Sequence, residues 1–151
     1  MKTKNGKIDL ADCPSCVSFN IRKAMRAVSQ HYDQIMAPSG LRGTQFTILT
    51  VLSRAGDLTI TELANFLVME RTTLTRNLKP LEKEGYLKVL PGLQDSRTRR
   101  VNVTNLGKKA QKAAMPYWQK AQDEMVNYLG KANAKQFIGE LQVAAMSHEQ
   151  L

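Results

Sequence analysis

Residues 59–84 read TITELANFLVMERTTLTRNLKPLEKE, and this stretch decides the fold. It predicts two short helices, from about Ile60 to Leu67 and from about Arg71 to Glu84. Leu63, Ala64 and Leu67 share one apolar face, and Leu74, Leu78 and Leu81 share another at spacings of four and three. Val68, Met69 and Glu70 alone lie between them, and a connection that short turns the chain sharply, as in a helix-turn-helix. The polar face of the second helix carries Arg71, Thr72, Thr73, Thr75, Arg76 and Lys79. Short hydroxyls and cations without interleaved acids suit base edges and phosphates. Pro80 lacks the N–H that would reach the Arg76 carbonyl, so a bend is expected near the end of this helix.

Gly85 follows as a C-terminal stop. Next come YLKVL, the turn-rich PGLQDSRT and RRVNV. Leu87 and Val89 alternate with Lys88, and Val101 and Val103 with Asn102, so each run predicts a half-buried strand of a hairpin. Residues 70–109 contain ten Lys/Arg and four Asp/Glu, with the excess densest at Arg97, Arg99 and Arg100. A basic hairpin directly after a helix-turn-helix predicts a winged helix. Its second helix would enter the major groove, and its wing would track the backbone or the minor groove.

Upstream, Val17, Ile21, Met25, Val28, Tyr32 and Ile35 recur at helical spacing and predict a long helix from about Pro14 to Met36. Pro38 and Gly40 break the chain. A helix from about Thr44 to Ser53 follows, with Phe46, Leu49 and Leu52 inward and Ile48 and Val51 beside them. Gly56 and Asp57 mark a turn, either Thr59 or Thr61 is the N-cap of the next helix, and Thr59 with Glu62 three residues on gives a capping box. Ile60 is either the first helical residue or part of a short strand pairing with the wing. Downstream, Thr104 caps a helix whose inner side runs through Leu106, Ala110, Met115 or Ala114, Tyr117 or Trp118, Ala121, Met125 and Leu129. Pro116 should kink or split it, and Gly130 ends it. A last helix spans about Asn133 to Ala145. Flanking helices whose apolar faces a small head cannot cover predict a helical dimer interface. The fold class is mainly α with a small β-hairpin wing, in one domain: dimerisation helices at about 12–36 and 105–148, and a winged head at about 41–104.

The chain has 151 residues, 42% hydrophobic and 23% charged, a globular composition. Its formal net charge of +9 favours a polyanionic partner. No apolar run reaches the roughly 18 residues that span a bilayer, and the basic N-terminus lacks the apolar core of a secretory signal, so a cytoplasmic location without membrane partners is expected. Cys13 and Cys16 form a C-P-S-C pair that is either two reduced thiols or a redox sensor. Zinc would need further ligands, and His31 and His148 lack compact spacing, so no metal or cofactor is expected. Cys13 and His31 lie roughly 27 Å apart along a straight helix, too far for proton transfer. No paired carboxylates, phosphate loop or nucleophile set is present, so no catalytic residue is assigned and an enzyme is not expected.

LTITELANFLVMERTTLTRNLKPLEKEGYL, the wing DSRTRRVNVTNLG and the long flanking helices resemble the MarR family of winged-helix transcriptional regulators. The resemblance runs from about Cys16 to Leu141. Asp95-x-Arg97 is similar to the family's wing signature, in which the arginine reaches the minor groove and the aspartate holds it. Thr104 and Gly107 match the family's threonine and glycine after the wing. The resemblance implies a homodimer with interlocked terminal helices and two heads on a pseudo-palindromic operator. It also implies repression relieved by a small lipophilic ligand or, in other members, by cysteine oxidation. Pro80 and the C-P-S-C pair depart from the commonest pattern.

The DNA-contacting candidates are thus Arg71, Thr72, Thr73, Thr75, Arg76, Lys79, Asp95, Arg97, Arg99 and Arg100. Arg76 forms either a bidentate contact to guanine or a phosphate contact, and one of Arg99 and Arg100 either brackets Arg97 or holds the loop. His31, Tyr32, Met36, Phe46, Met115 and Trp118 are candidates for an effector pocket between dimer helices and head, or are simply core. Cys13 and Cys16 are the redox candidates.

Overall fold

A computed structural model describes residues 3–4, 7–8, 13–92 and 97–147. A single two-stranded ladder comes first, β1 (Thr3–Lys4) antiparallel to β2 (Lys7–Ile8). A 3-10 turn at Cys13–Ser15 leads into α1 (Val17–Met36), and another at Ala37–Ser39 ends at Gly40, whose φ of 74° gives the chain its reversal. Then follow α2 (Gly43–Ala55), β3 (Leu58–Thr59), α3 (Ile60–Phe66), α4 (Arg71–Lys83), β4 (Leu87–Pro91), β5 (Arg99–Val103), α5 (Asn105–Leu129) and α6 (Lys131–Met146).

The head is built as its sequence pattern requires. Leu49 and Leu52 of α2, Leu63 of α3, Leu74, Leu78 and Leu81 of α4, Leu87 of β4 and Val101 of β5 are buried in one cluster. The sheet order is β3-β5-β4, all antiparallel. Ile60 is the first residue of α3, and the short strand pairing with the wing is Leu58–Thr59, through Leu58↔Val101 and Thr59↔Arg100. Thr59 caps α3: the Glu62 N–H donates to Thr59 Oγ1 at 3.1 Å, and the Thr59 N–H donates to Glu62 Oε2 at 2.7 Å. The Thr59 N–H and the Thr59 hydroxyl, which donates to the same Oε2 at 2.8 Å, hold the Glu62 carboxyl below its ordinary pKa.

Several expectations change. α2 begins one residue earlier and ends two later than the pattern indicated, and α6 starts at Lys131 directly after Gly130. α4 ends at Lys83, one residue before the expected Glu84, and carries Pro80 on its exposed face while Leu81 stays buried. Pro116 does not split α5, which is one helix of 25 residues with that proline exposed. Leu106 is 53% exposed rather than inward. Gly107 takes the inward position instead, pressed against the Tyr86 carbonyl where a Cβ would stand 2.0 Å from the oxygen. Thr104 fixes that approach: its N–H donates to Tyr86 O at 3.0 Å, and its Oγ1 accepts from the Gly107 N–H at 3.1 Å.

α1 and α5 pack together through Tyr32, whose hydroxyl donates to Gln122 Oε1 at 2.5 Å. In the protomer, Val17, Ile21 and Met25 on α1 stay exposed, as do Phe137, Ile138, Leu141, Val143 and Met146 on α6. These are the faces the head does not cover. No described helix is long and apolar enough to cross a membrane.

Candidate nucleic-acid interface

The turn between α3 and α4 sets the presentation of the second helix. Leu67 closes α3, and Met69 N–H reaches back to Ala64 O at 2.9 Å. Val68 takes a φ of 50° to make that turn, a conformation costly for a β-branched residue. The sequence pattern did not foretell this, since glycine is the usual occupant. Glu70 N-caps α4 without a side-chain cap, so the first amides of the helix remain open for an acceptor from outside.

With Leu74, Leu78 and Leu81 inward, Arg71, Thr72, Thr73, Thr75, Arg76 and Lys79 are all exposed. Thr72, Thr75, Arg76 and Lys79 fall at helical spacings of three and four and therefore share one face. Thr75 Oγ1 donates to Arg71 O at 2.7 Å, which leaves its oxygen facing outward as an acceptor beside its methyl. Asn77 Nδ2 donates to Thr73 O at 2.9 Å.

The wing adds a second cationic surface. Arg97 and Arg99 are exposed, and the wing loop is closed just beyond the strands by the Gly92 N–H donating to Thr98 O at 3.0 Å. A cleft of about 340 Å³ lies between the wing and the starts of α3 and α4. Thr59, Thr61, Arg71, Arg97, Thr98 and Arg99 line it. Sequence reasoning supplied the three arginines but missed the threonines, because Thr59 and Thr61 were read only as caps. Arg100 stands apart from this group. Its Nη1 donates to Asp57 Oδ2, and its Nε reaches Pro91 O at 3.4 Å. Asp57 had been read only as part of a turn. Asp95, expected to hold Arg97, lies outside the described residues, as does His148.

The effector candidates gather along α1, α2 and α5. Phe46 stacks on Trp118 with ring centroids 5.8 Å apart. Met36 and Phe46 are buried in the core, with Met115 and Trp118 packed against it. Burial raises the Tyr32 phenol above its ordinary pKa. His31 Nε2 stands 3.5 Å from Glu124 Oε2. A second cleft, of about 650 Å³, is lined instead by residues including Gln30, Asp33, Gln34 and Arg42. Cys16 is a free, exposed thiol at the start of α1. Among the described residues no group of three or more His, Cys, Asp or Glu could hold a metal ion.

Comparison with known proteins places this geometry. The MarR family model matches residues 41–98, which span α2 to the wing. The transcriptional regulator MosR of M. tuberculosis, solved in complex with DNA, is 37% identical, covers 87% of this chain and 97% of its own, and superposes with a TM-score of 0.75. The transcriptional repressor CouR, bound to a 23-mer DNA duplex, is 21% identical, with coverage of 92% and 99% and a TM-score of 0.79; it shows the shared fold alone. The uncharacterized HTH-type transcriptional regulator YwoH of Bacillus subtilis is 29% identical over 89 residues, or 59% of this chain and 64% of YwoH, so the match spans under two thirds of that relative.

Proposed function

The chain belongs to the MarR family, and on that premise we propose that it is a sequence-specific DNA-binding transcriptional regulator, a homodimer that represses from a pseudo-palindromic operator. The observation that carries this reading is that Arg71 at the start of α4 and Arg97 and Arg99 of the wing line one cleft. α4 enters the major groove with Thr72, Thr75 and Arg76 toward the base edges and Lys79 toward phosphate. Thr75, its hydroxyl hydrogen committed to Arg71 O, presents an acceptor suited to adenine or cytosine amino groups and a methyl suited to thymine. The open amides at the start of α4, with Arg71 beside them, take a backbone phosphate. Arg97 reaches into the minor groove, reading width and A·T character.

The uncovered faces of α1 and α6 supply the dimer contact. Residues 12–36 and 105–148 then act as dimerisation helices around the head of residues 41–104, placing two α4 helices on one side of the duplex. Release by a small lipophilic ligand is the finer part of the reading. It rests on the Phe46–Trp118 stack between α2 and α5 and on the Tyr32–Gln122 bond between α1 and α5. Oxidation at Cys13 and Cys16 is the competing trigger, favoured by the exposure of the Cys16 thiol.

The test is selection of bound sites from random DNA by the purified protein, then titration of the selected duplex and a scrambled duplex of equal length at rising salt. The account expects at least a thousandfold preference, of the order typical for specific sites, and a steep loss of affinity with salt. Equal affinity for the two duplexes overturns it. Repeating the titration with a panel of phenols and with oxidant assigns the trigger.

A further inference from the structure

Asp57 lies between Gly56, which ends α2 at a φ of 81°, and the two-residue strand β3. Its carboxylate uses both oxygens on β5: Oδ2 accepts from Arg100 Nη1, and Oδ1 accepts from Asn102 Nδ2. Arg100 and Asn102 are two apart on a strand, so they project from the same face of the sheet. Arg100 also reaches Pro91 O, the last residue of β4. One aspartate–arginine pair thus ties the α2–β3 turn, β5 and the end of β4 together, at the point where the hairpin leaves the head. β3 alone fastens β5 through only two residue pairs. Beyond this bracket the chain carries Arg99 and Arg97 into the cationic cleft.

We propose that Asp57 is a positioning residue for DNA binding: through Arg100 it sets the angle at which the wing presents Arg97 and Arg99. The inference rests on the DNA-binding reading above, and it assigns Arg100 to holding the wing instead of touching the duplex. It also makes a prediction of unusual sign. Removing an acid from a surface that faces a polyanion strengthens binding on charge alone. Removing the bracket weakens it.

The experiment compares wild type, Asp57→Asn, Arg100→Gln and the double variant against the duplex that wild type selects from random DNA and against a scrambled duplex. Asp57→Asn is expected to bind the selected duplex about tenfold more weakly, the loss of one modest groove contact. Arg100→Gln is expected to match it, and the double variant to fall within about twofold of either single, because both remove one interaction. Asp57→Asn binding as tightly as wild type, or more tightly, overturns the inference. So does a double variant whose losses multiply.

Hydrogen exchange distinguishes this failure from failure of the functional reading. In Asp57→Asn, protection should fall at the Leu90, Gly92 and Arg100 amides while the α2 and α4 amides keep theirs. Protection lost across the whole head makes Asp57 a general stabiliser and overturns the inference. Wild type that fails to separate the two duplexes, with the wing amides loosened as predicted, sinks the function and keeps the bracket.

Discussion

Gly107→Ala is the substitution on which the physical account of the head is most exposed. Alanine normally favours a helix over glycine by about 1 kcal/mol, and Gly107 sits in the first turn of α5. Helix propensity alone therefore predicts a gain. The structure predicts a loss, because the new Cβ would stand 2.0 Å from Tyr86 O, 2.8 Å from Tyr86 C and 3.0 Å from Val103 Cγ2. Two of those three atoms are backbone and cannot swing aside. α5 must back away from the turn between α4 and β4, which strains the core by about 1–3 kcal/mol. The same movement loosens the Thr104 bonds to Tyr86 O at 3.0 and 3.1 Å, and each lost bond costs about 1 kcal/mol. After the helix gain is subtracted, the net loss is roughly 2–4 kcal/mol. For a chain of this length that is a drop in Tm of about 6–12 °C.

The assay is thermal unfolding by far-ultraviolet circular dichroism at one fixed protein concentration, since a dimer's Tm depends on concentration. Gly43→Ala serves as the control. Its Cβ would meet Asp33 Oδ1 at 3.5 Å and Tyr32 Cβ at 3.8 Å, ordinary contacts, so its stability should change by less than about 1 kcal/mol. A Gly107→Ala protein that melts at or above wild type would refute the reasoning about the Tyr86 approach.

Glu62→Gln should destabilise the head at neutral pH and lose that effect in acid. The hydrogen bonds from Thr59 depress the Glu62 pKa in the folded state, so its contribution is present above the unfolded-state pKa and is lost as pH falls through the lower folded value. Urea unfolding of both proteins from neutral pH down to below the ordinary carboxylate range checks this, and a difference that persists unchanged into acid counts against the capping assignment. Ile138→Asp with Leu141→Asp places two charges on the uncovered face of α6, and sedimentation equilibrium should then report a monomer that still shows helical circular dichroism. A dimer of unchanged strength would move the interface elsewhere. Tyr32→Phe removes the bond to Gln122 and should cost about 1 kcal/mol, while in wild type the Tyr32 phenol should ionise above its ordinary pKa in a spectrophotometric titration because burial disfavours the phenolate. Unchanged stability would mean that solvent replaces the Gln122 contact fully.

The head was legible because its elements announce themselves locally. Leucines at 74, 78 and 81 set the buried face of α4, the alternation at 87–89 and 101–103 set the hairpin, and Thr59 with Glu62 set the start of α3. What escaped was long-range. Asp57 and Arg100 are 43 positions apart, and no local period connects a turn aspartate to a strand arginine. The split offered at Pro116 did not occur, for a related reason. A missing N–H weakens a helix only when nothing else secures it, and tertiary contacts at Leu81 and at Ala114 and Ala121 carry α4 and α5 past Pro80 and Pro116. Leu106 was assigned inward on hydrophobicity, yet the close approach of α5 to the Tyr86 carbonyl admits only a hydrogen, and Gly107 supplies it. The interface candidates on α4 could be named because they are what remains once the buried leucines are subtracted. The effector residues could not be separated from core in this way, since Phe46 and Trp118 have the same pattern in either role.

The central claim is that the exposed face of α4 and the wing together hold the duplex. Its most direct test is the equilibrium affinity of Arg76→Ala combined with Arg97→Ala, measured on the duplex that wild type selects from random DNA. The account predicts binding reduced to the level wild type shows for scrambled DNA, with helical circular dichroism intact. Affinity for the selected duplex equal to that of wild type would contradict it.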